Sequence, residues 1–415
     1  MKTKNLSYLS LIALAAWGTT AAVAGLPRAV SLNDDQAAEI ATTLAGLSLN
    51  SLGSSATDDQ VASVPFFQAS PAHVLSAALA TLNQNDRGLA NANLYEFVLL
   101  NEGEMPGLTV RETVTRLHLF LNAIRPEKLE NAVIHPTVEA ALNARALPAV
   151  SYANDLSYKG GVGGIGVETA PKIYLVLWGS QWKNNDPSGE VGILTNFYKG
   201  VGGSAWLNSV TQYHQGVPVG TYISSGGTAA GNQAGMLAGI WSDNSASAPA
   251  HPTQAQLAAE AVKAAAHFGN TSAKANASVQ YIIATSHGNS ASGFGTQYCA
   301  WHSYTSSSYG NIAYSNLPYL TDAGASCGAG FNGLGAKAGI TMVAGHELGE
   351  TITDQFPSGG WTDSTGAENG DKCAWISSGQ GASANVTLST GTFPVQSLWS
   401  NGYNGGAGGC VLSFP

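Results

Sequence analysis

From Lys172 onward the chain alternates short apolar runs with helix-forming stretches, and that alternation limits the fold more than any other feature. The run Ile173-Tyr-Leu-Val-Leu-Trp178 has the length and the β-branched and aromatic content of a buried strand, and 279–284 repeats the pattern. Helices are expected near 191–198, near 205–213 and over 254–268, the last rich in Ala, Leu, Val and Lys. A further strand is expected at 221–224, and a long Gly/Ser/Tyr-rich loop after 284. Strands alternating with helices pack as a sheet with helices on its faces, so the expected class is α/β with a mixed sheet.

Charge divides the chain more sharply than hydropathy does. Every arginine lies between Arg28 and Arg145, and none follows. The first 24 residues carry Lys2 and Lys4, an apolar run and Ala22-Val23-Ala24 before Gly25, the pattern of a secretory leader. Residues 25–150 are expected to form a small helical N-terminal region, with helices near 34–47, 71–82 and 110–124. Residues 151–171 contain Lys159-Gly-Gly-Val-Gly-Gly-Ile-Gly166 and are expected to be a flexible linker. The embedded G-x-G-x-x-G lacks a preceding strand and a following helix, so it is not a dinucleotide fingerprint. The α/β domain is expected to run over 172–415.

Of 415 residues only 10% are charged, and the net charge is -9 with no Lys/Arg cluster. That balance excludes a nucleic-acid partner, which needs a basic surface. After the leader no stretch reaches the roughly 20 apolar residues of a membrane span, so a secreted product, extracellular or periplasmic, is expected. Four cysteines, Cys299, Cys327, Cys373 and Cys410, suit that compartment. No C-x-x-C pair is present, so disulfides are expected, and sequential pairing, 299 with 327 and 373 with 410, is the simplest of three arrangements.

The chemistry concentrates in His346-Glu347-Leu348-Gly349-Glu350, which nearly spells H-E-x-x-H but carries glutamate in the second ligand position. In that motif two side chains four residues apart share one helix face and hold Zn²⁺, and the intervening Glu activates a water. A zincin-like metal-site helix is therefore expected here. An oxygen-rich set also admits Ca²⁺. Of thirteen Asp and Glu residues from Asp155 to the end, six (Glu347, Glu350, Asp354, Asp363, Glu368 and Asp371) fall within 25 positions. So many like charges repel unless a cation joins them. The expected metal ligands are His346 and Glu350 with Glu368, Asp371 and Asp354, and Glu347 is the expected general base. The alternative for each acid singly is a solvated helix face for Glu347 and Glu350, and a turn cap near Pro357 and Gly359-Gly360 for Asp354 and Asp363.

Gln297-Tyr-Cys-Ala-Trp-His302, Gly345-His-Glu-Leu-Gly-Glu-Thr-Ile-Thr-Asp354, Gly360-Trp361 and Glu368-Asn-Gly-Asp-Lys-Cys373 occur in that order. Together they resemble the EXORDIUM (phosphate-induced protein) family of secreted plant proteins and its bacterial relatives, over about 172–415. The resemblance implies secretion and an association with the cell wall, and it names no reaction.

Two functions remain open from sequence. One is a secreted zinc metallopeptidase acting on a peptide or protein, with the N-terminal region as a removable pro-segment. The other is a non-catalytic extracellular or wall-associated binding protein with a structural calcium or zinc. His287 and His302 are candidates for extra ligands or acid/base groups, with a structural role as the plainer reading. Gly324-Ala-Ser-Cys-Gly328 matches G-x-S-x-G but sits in a loop beside a cysteine, not on a strand-to-helix elbow. Trp178, Trp182, Trp206, Trp241, Trp301, Trp361, Trp375 and Trp399 read as packing residues, and any exposed ones would suit a carbohydrate or peptide. Nothing in the sequence speaks to oligomeric state.

Overall fold

A computed structural model describes residues 71–82, 128–146 and 156–415, with isolated positions between 97 and 121. The chain divides into two compact units, Met1–Arg125 and Pro126–Pro415. In the first, helix α1 (Pro71–Ala80) forms where a helix is expected. The leader and the 34–47 helix lie outside the described residues, as does most of 110–124.

Among the described residues the second unit holds the strands β1 (Val133–Pro136), β2 (Ser157–Tyr158), β3 (Lys172–Trp178), β4 (His214–Gln215), β5 (Thr228–Ala229), β6 (Leu237–Asp243), β7 (Val279–Thr285), β8 (Tyr298–Ser307), β9 (Gly310–Leu317), β10 (Trp361–Thr362), β11 (Ala384–Leu388), β12 (Gly391–Val395), β13 (Leu398–Ser400) and β14 (Gly409–Val411). Its main helices are α2 (Val138–Ala146), α3 (Glu190–Val201), α4 (Gln254–His267) and α5 (Ala338–Thr353). Six strands form one mixed sheet in the order β1-β8-β9-β7-β3-β6. The β9, β7, β3 and β6 neighbours are parallel, while β8 joins β9 as a hairpin and β1 joins β8 antiparallel. The expected α/β class with a mixed sheet and several helices is what forms.

The central strands explain the apolar runs. Every residue of β7 is buried, as a parallel strand covered on both faces requires. Val176, Tyr281 and Ile283 pack with Leu257, Ala261 and Ala264 of α4 on one face. Leu175, Leu177, Ile282 and Ala284 pack with α3 and α5 on the other. Helix α4 starts at a capping box made by Thr253 and Gln256. Helix α5 carries Thr341, His346, Glu347, Glu350, Thr351 and Thr353 among its apolar residues, and all sixteen of its residues are buried.

Three expectations differ from the structure. The loop expected after 284 contains the β8–β9 hairpin, and the strand expected at 221–224 is a turn, its place in the sheet taken by β6. The linker expected at 151–171 is, from Leu156 on, an ordered part of the second unit: β2 pairs with β10, Lys159 N donates to Gly360 O at 2.8 Å, and Gly161 N to Gly359 O at 2.7 Å. Its glycines permit contact rather than motion, since a Cβ on Gly166 would stand 2.9 Å from the Gly359 carbonyl. Residues 126–150, expected to belong with the N-terminal region, fall in the second unit, where β1 is an edge strand of the main sheet.

Two disulfides join Cys299 to Cys327 and Cys373 to Cys410, the sequential pairing. No described helix is long and apolar enough to cross a membrane.

Candidate metal centre

Helix α5 carries His346, Glu347 and Glu350 into the interior, where none is more than 1% exposed. A solvated helix face is thereby ruled out for both glutamates. The i,i+4 spacing brings His346 Nε2 to 3.0 Å from Glu350 Oε1. Strand β8 brings His302 in from the side. Its Nε2 lies 3.5 Å from Glu350 Oε2 and 3.3 Å from Glu368 Oε1. The loop after β10 closes the cluster, with Asp371 Oδ1 3.8 Å from His346 Nε2. That closure needs Gly370, because a Cβ there would stand 2.7 Å from His346 Nδ1 and 2.8 Å from Glu350 Oε1. Each disulfide anchors a contributing segment: Cys299 precedes His302 on β8, and Cys373 follows Asp371.

Donor atoms of His302, Glu347 and Glu350 lie within 4.8 Å of one another, as do those of His346, Glu350 and Asp371. His302 Nε2, His346 Nε2, Glu350 Oε2 and both oxygens of Glu347 and Glu368 are buried without a hydrogen-bond partner. Buried polar groups are almost always paired, so orphans gathered at one point make this cluster the candidate site for a ligand. Among the described residues, the ion pairs to these carboxylates come from histidines; Lys372 Nζ lies 3.6 Å from Asp363 instead.

Burial raises the Glu347 carboxyl well above its ordinary range, and Glu350, Asp371 and Glu368 add to the effect against His302. Glu368 and Asp371 are raised by burial and by the acids around them. Burial would raise Glu350 too, but His346 and His302 bring it down to about 2. His302 is raised because Glu350 and Glu347 outweigh its burial.

Not every expected ligand turns toward this cluster. Asp354 ends α5, and its carboxylate accepts N–H bonds from Ser358, Gly359 and Gly360 at 2.9, 3.1 and 2.6 Å, so it caps the turn. Burial still lifts it to about 7 against those amides. Asp363 likewise binds its own loop through Thr365 and Ala367. His287 is half exposed and pairs with Asp322 at 2.5 Å. The G-x-S-x-G segment lies in a 3-10 turn over Leu320–Cys327. Trp182, Trp206, Trp301, Trp361, Trp375 and Trp399 are buried.

Sequence reasoning missed His135. Strand β1 places it against the cluster, with its ring 3.9 Å from that of His346, and it is fully buried. Its Nδ1 is 2.9 Å from the Pro136 carbonyl, leaving Nε2 without a partner. The available signal was only the dipeptide His135-Pro136 in a segment that composition set apart. A 430 Å³ cleft between β1, α2 and the loop at 365–367 has Asp371 on its wall, and Asp371, 18% exposed, is where the cluster reaches that cleft.

Compared with protein-family models, with curated proteins and with solved structures, the chain matches none.

Proposed function

We propose that the protein is a secreted, metal-dependent hydrolase of peptides, held latent by strand β1, with Glu347 as the proton acceptor. One observation carries this most: His346, Glu350 and Asp371 offer three donors at chelating distance beside a buried Glu347 whose oxygens have no partner. Three protein donors and one open position are how catalytic zinc is held. The histidine nitrogens favour Zn²⁺ over Ca²⁺, which takes oxygen donors. Such an ion would polarise a carbonyl and acidify a water. Glu347 would accept a proton from the attacking water and return it to the leaving nitrogen.

The peptide preference rests on the sheet. Strand β8 carries His302 beside the cluster, and its outer edge pairs with β1 antiparallel, Val133 opposite His302. An extended peptide would add to the same edge once β1 leaves. Export is supported by the leader-like first 24 residues, the two disulfides and the resemblance to EXORDIUM proteins.

The test is peptide hydrolysis by the full chain and by a chain cut at a protease site engineered between Ala146 and Leu156, each with and without Glu347→Gln. The cut wild-type chain should be the faster. Glu347→Gln should lower its rate by about 10² to 10⁴ with metal retained. Undiminished hydrolysis by that variant ends the mechanism. The depth of burial favours a second reading, since His302, Glu347, Glu350 and Glu368 are at most 1% exposed. In it a structural cation ties β8, α5 and the 368–371 loop together without turnover. An inactive cut chain whose melting temperature drops with EDTA would establish that reading instead.

A further inference from the structure

We infer that the cluster is built for two divalent cations bridged by Glu350, so that His302, with Glu368 and one oxygen of Glu347, forms a second metal position while the other Glu347 oxygen keeps its role as proton acceptor. This deepens the proposed function and rests on it for the first position, at His346, Glu350 and Asp371.

The two oxygens of Glu350 face different histidines: Oε1 is 3.0 Å from His346 Nε2, and Oε2 is 3.5 Å from His302 Nε2. A carboxylate placed between two nitrogen donors in this way gives one oxygen to each of two ions. Ligand atoms held about 2.0–2.2 Å from one ion stand at most about 4.4 Å apart. The two donor sets that lie within 4.8 Å share Glu350, and neither contains both histidines. One ion therefore takes one histidine.

What a single ion leaves behind is the stronger point. With His346, Glu350 Oε1 and Asp371 engaged, His302 Nε2 and all four oxygens of Glu347 and Glu368 remain buried with no hydrogen-bond partner. Stranding such groups is costly, and more so when they are charged. Protons alone do not repair this: a protonated Glu368 would donate to His302 Nε2, 3.3 Å away, but both oxygens of Glu347 would stay unpaired. An imidazolium at His302 would reach Glu350 and Glu368, but its single charge faces Glu347 as well. Charge leads to the same count. Glu347, Glu350, Glu368 and Asp371 carry four negative charges when ionised, one dication neutralises two of them, and a second neutralises the rest with the histidines neutral. Carboxylate-bridged pairs of this kind sit roughly 3.5–4 Å apart.

The experiment loads full-length protein with Zn²⁺ or Mn²⁺, counts ions per chain by elemental analysis, records the Mn²⁺ paramagnetic resonance spectrum and assays peptide hydrolysis after the cut. Two ions per chain and an exchange-coupled Mn²⁺ spectrum are expected. His302→Gln and, separately, Glu368→Gln should each hold one ion with an isolated six-line spectrum; circular dichroism checks their folding, and either folded variant suffices. One ion per chain, unchanged in a folded variant, overturns the second position and leaves the single-ion hydrolase standing. Two ions with an uncoupled spectrum overturn the Glu350 bridge. Two coupled ions without hydrolysis uphold the inference and sink the hydrolase reading, and no bound ion sinks both.

Discussion

Two buried acid clusters lie against the same sheet, and they solve the same electrostatic problem in opposite ways. Beneath α4, Asp243 and Glu260 are each 3–4% exposed, and Lys263 answers both: its Nζ bonds Asp243 and Ser245 and lies 3.8 Å from Glu260. Asp243 is held low chiefly by Lys263 against its burial, while burial and Asp243 push Glu260 up to about 8. One lysine and one retained proton therefore balance that cluster. Around α5 the described ion pairs to Glu350, Glu368 and Asp371 come from histidines, backbone amides reach only Glu350 and Asp371, and most oxygens of these acids and Glu347 stay unpaired. The first cluster is balanced by groups the chain supplies, with Glu260 Oε1 its unpaired oxygen, and the second is the one proposed to take a cation.

Chelation should break this symmetry with the largest effect. Exhaustive EDTA treatment is expected to destabilise the protein by about 4 kcal/mol or more if the ion is normally present near 1,000 times its dissociation constant. The loss should appear in urea unfolding and be restored by added Zn²⁺. In Glu350→Gln the same treatment should change little, because the residue common to both donor sets is gone. An EDTA effect equally large in Glu350→Gln would detach the metal from this cluster.

How far each cluster was legible in the sequence follows from what its residues do. His346 and Glu350 were legible because helical spacing alone places them on one face, and the crowding of acids up to Asp371 needed only counting. His302 was harder to place, because its strand, Tyr298-Cys-Ala-Trp-His-Ser-Tyr-Thr-Ser-Ser307, buries His302 and Ser303 where a strand pattern calls for apolar residues. His302 faces the cluster and Ser303 the opposite side, where its hydroxyl donates to the Glu130 carbonyl, so polar partners on both faces replace the apolar pattern of the strand. His135 was hidden differently: long-range pairing, which local pattern does not encode, moves β1 across the boundary that the arginines suggested. Gly160 to Gly166 looked flexible because a sequence does not distinguish glycine used for motion from glycine used for close backbone contact. Asp354 was misplaced by one turn of helix, just where α5 stops and its carboxylate turns to the following amides.

The self-contained cluster should respond to its own lysine and to nothing in the buffer. Lys263→Met keeps an unbranched apolar side chain but strips Asp243 of its cation and the Trp241 ring of the ammonium 5.5 Å from its centroid. Breaking a buried pair costs about 3–5 kcal/mol, yet the Lys263 side chain is 47% exposed and water takes over part of its role. A loss of roughly 1–2 kcal/mol is expected, additive with the effect of EDTA because the two clusters share no residue. A loss that vanished in EDTA would mean that the clusters are coupled.

The smallest effect sharpens the contrast through pH. Glu260 keeps its proton in the folded protein up to about 8, whereas an ordinary glutamate has released it near 4.5. Between those values the folded chain binds more protons than the unfolded one, so stability falls as pH rises through that window. Water reaches Lys263 and screens the group, which reduces the fall to roughly 1 kcal/mol. In Glu260→Gln, compared with the wild-type chain in the same buffer so that the linkage of the α5 acids cancels, this part of the decline between pH 5 and 8 should flatten. An identical slope in the variant would mean that Glu260 is ionised beside Asp243, and that Lys263 alone carries the balance now divided between a lysine and a proton.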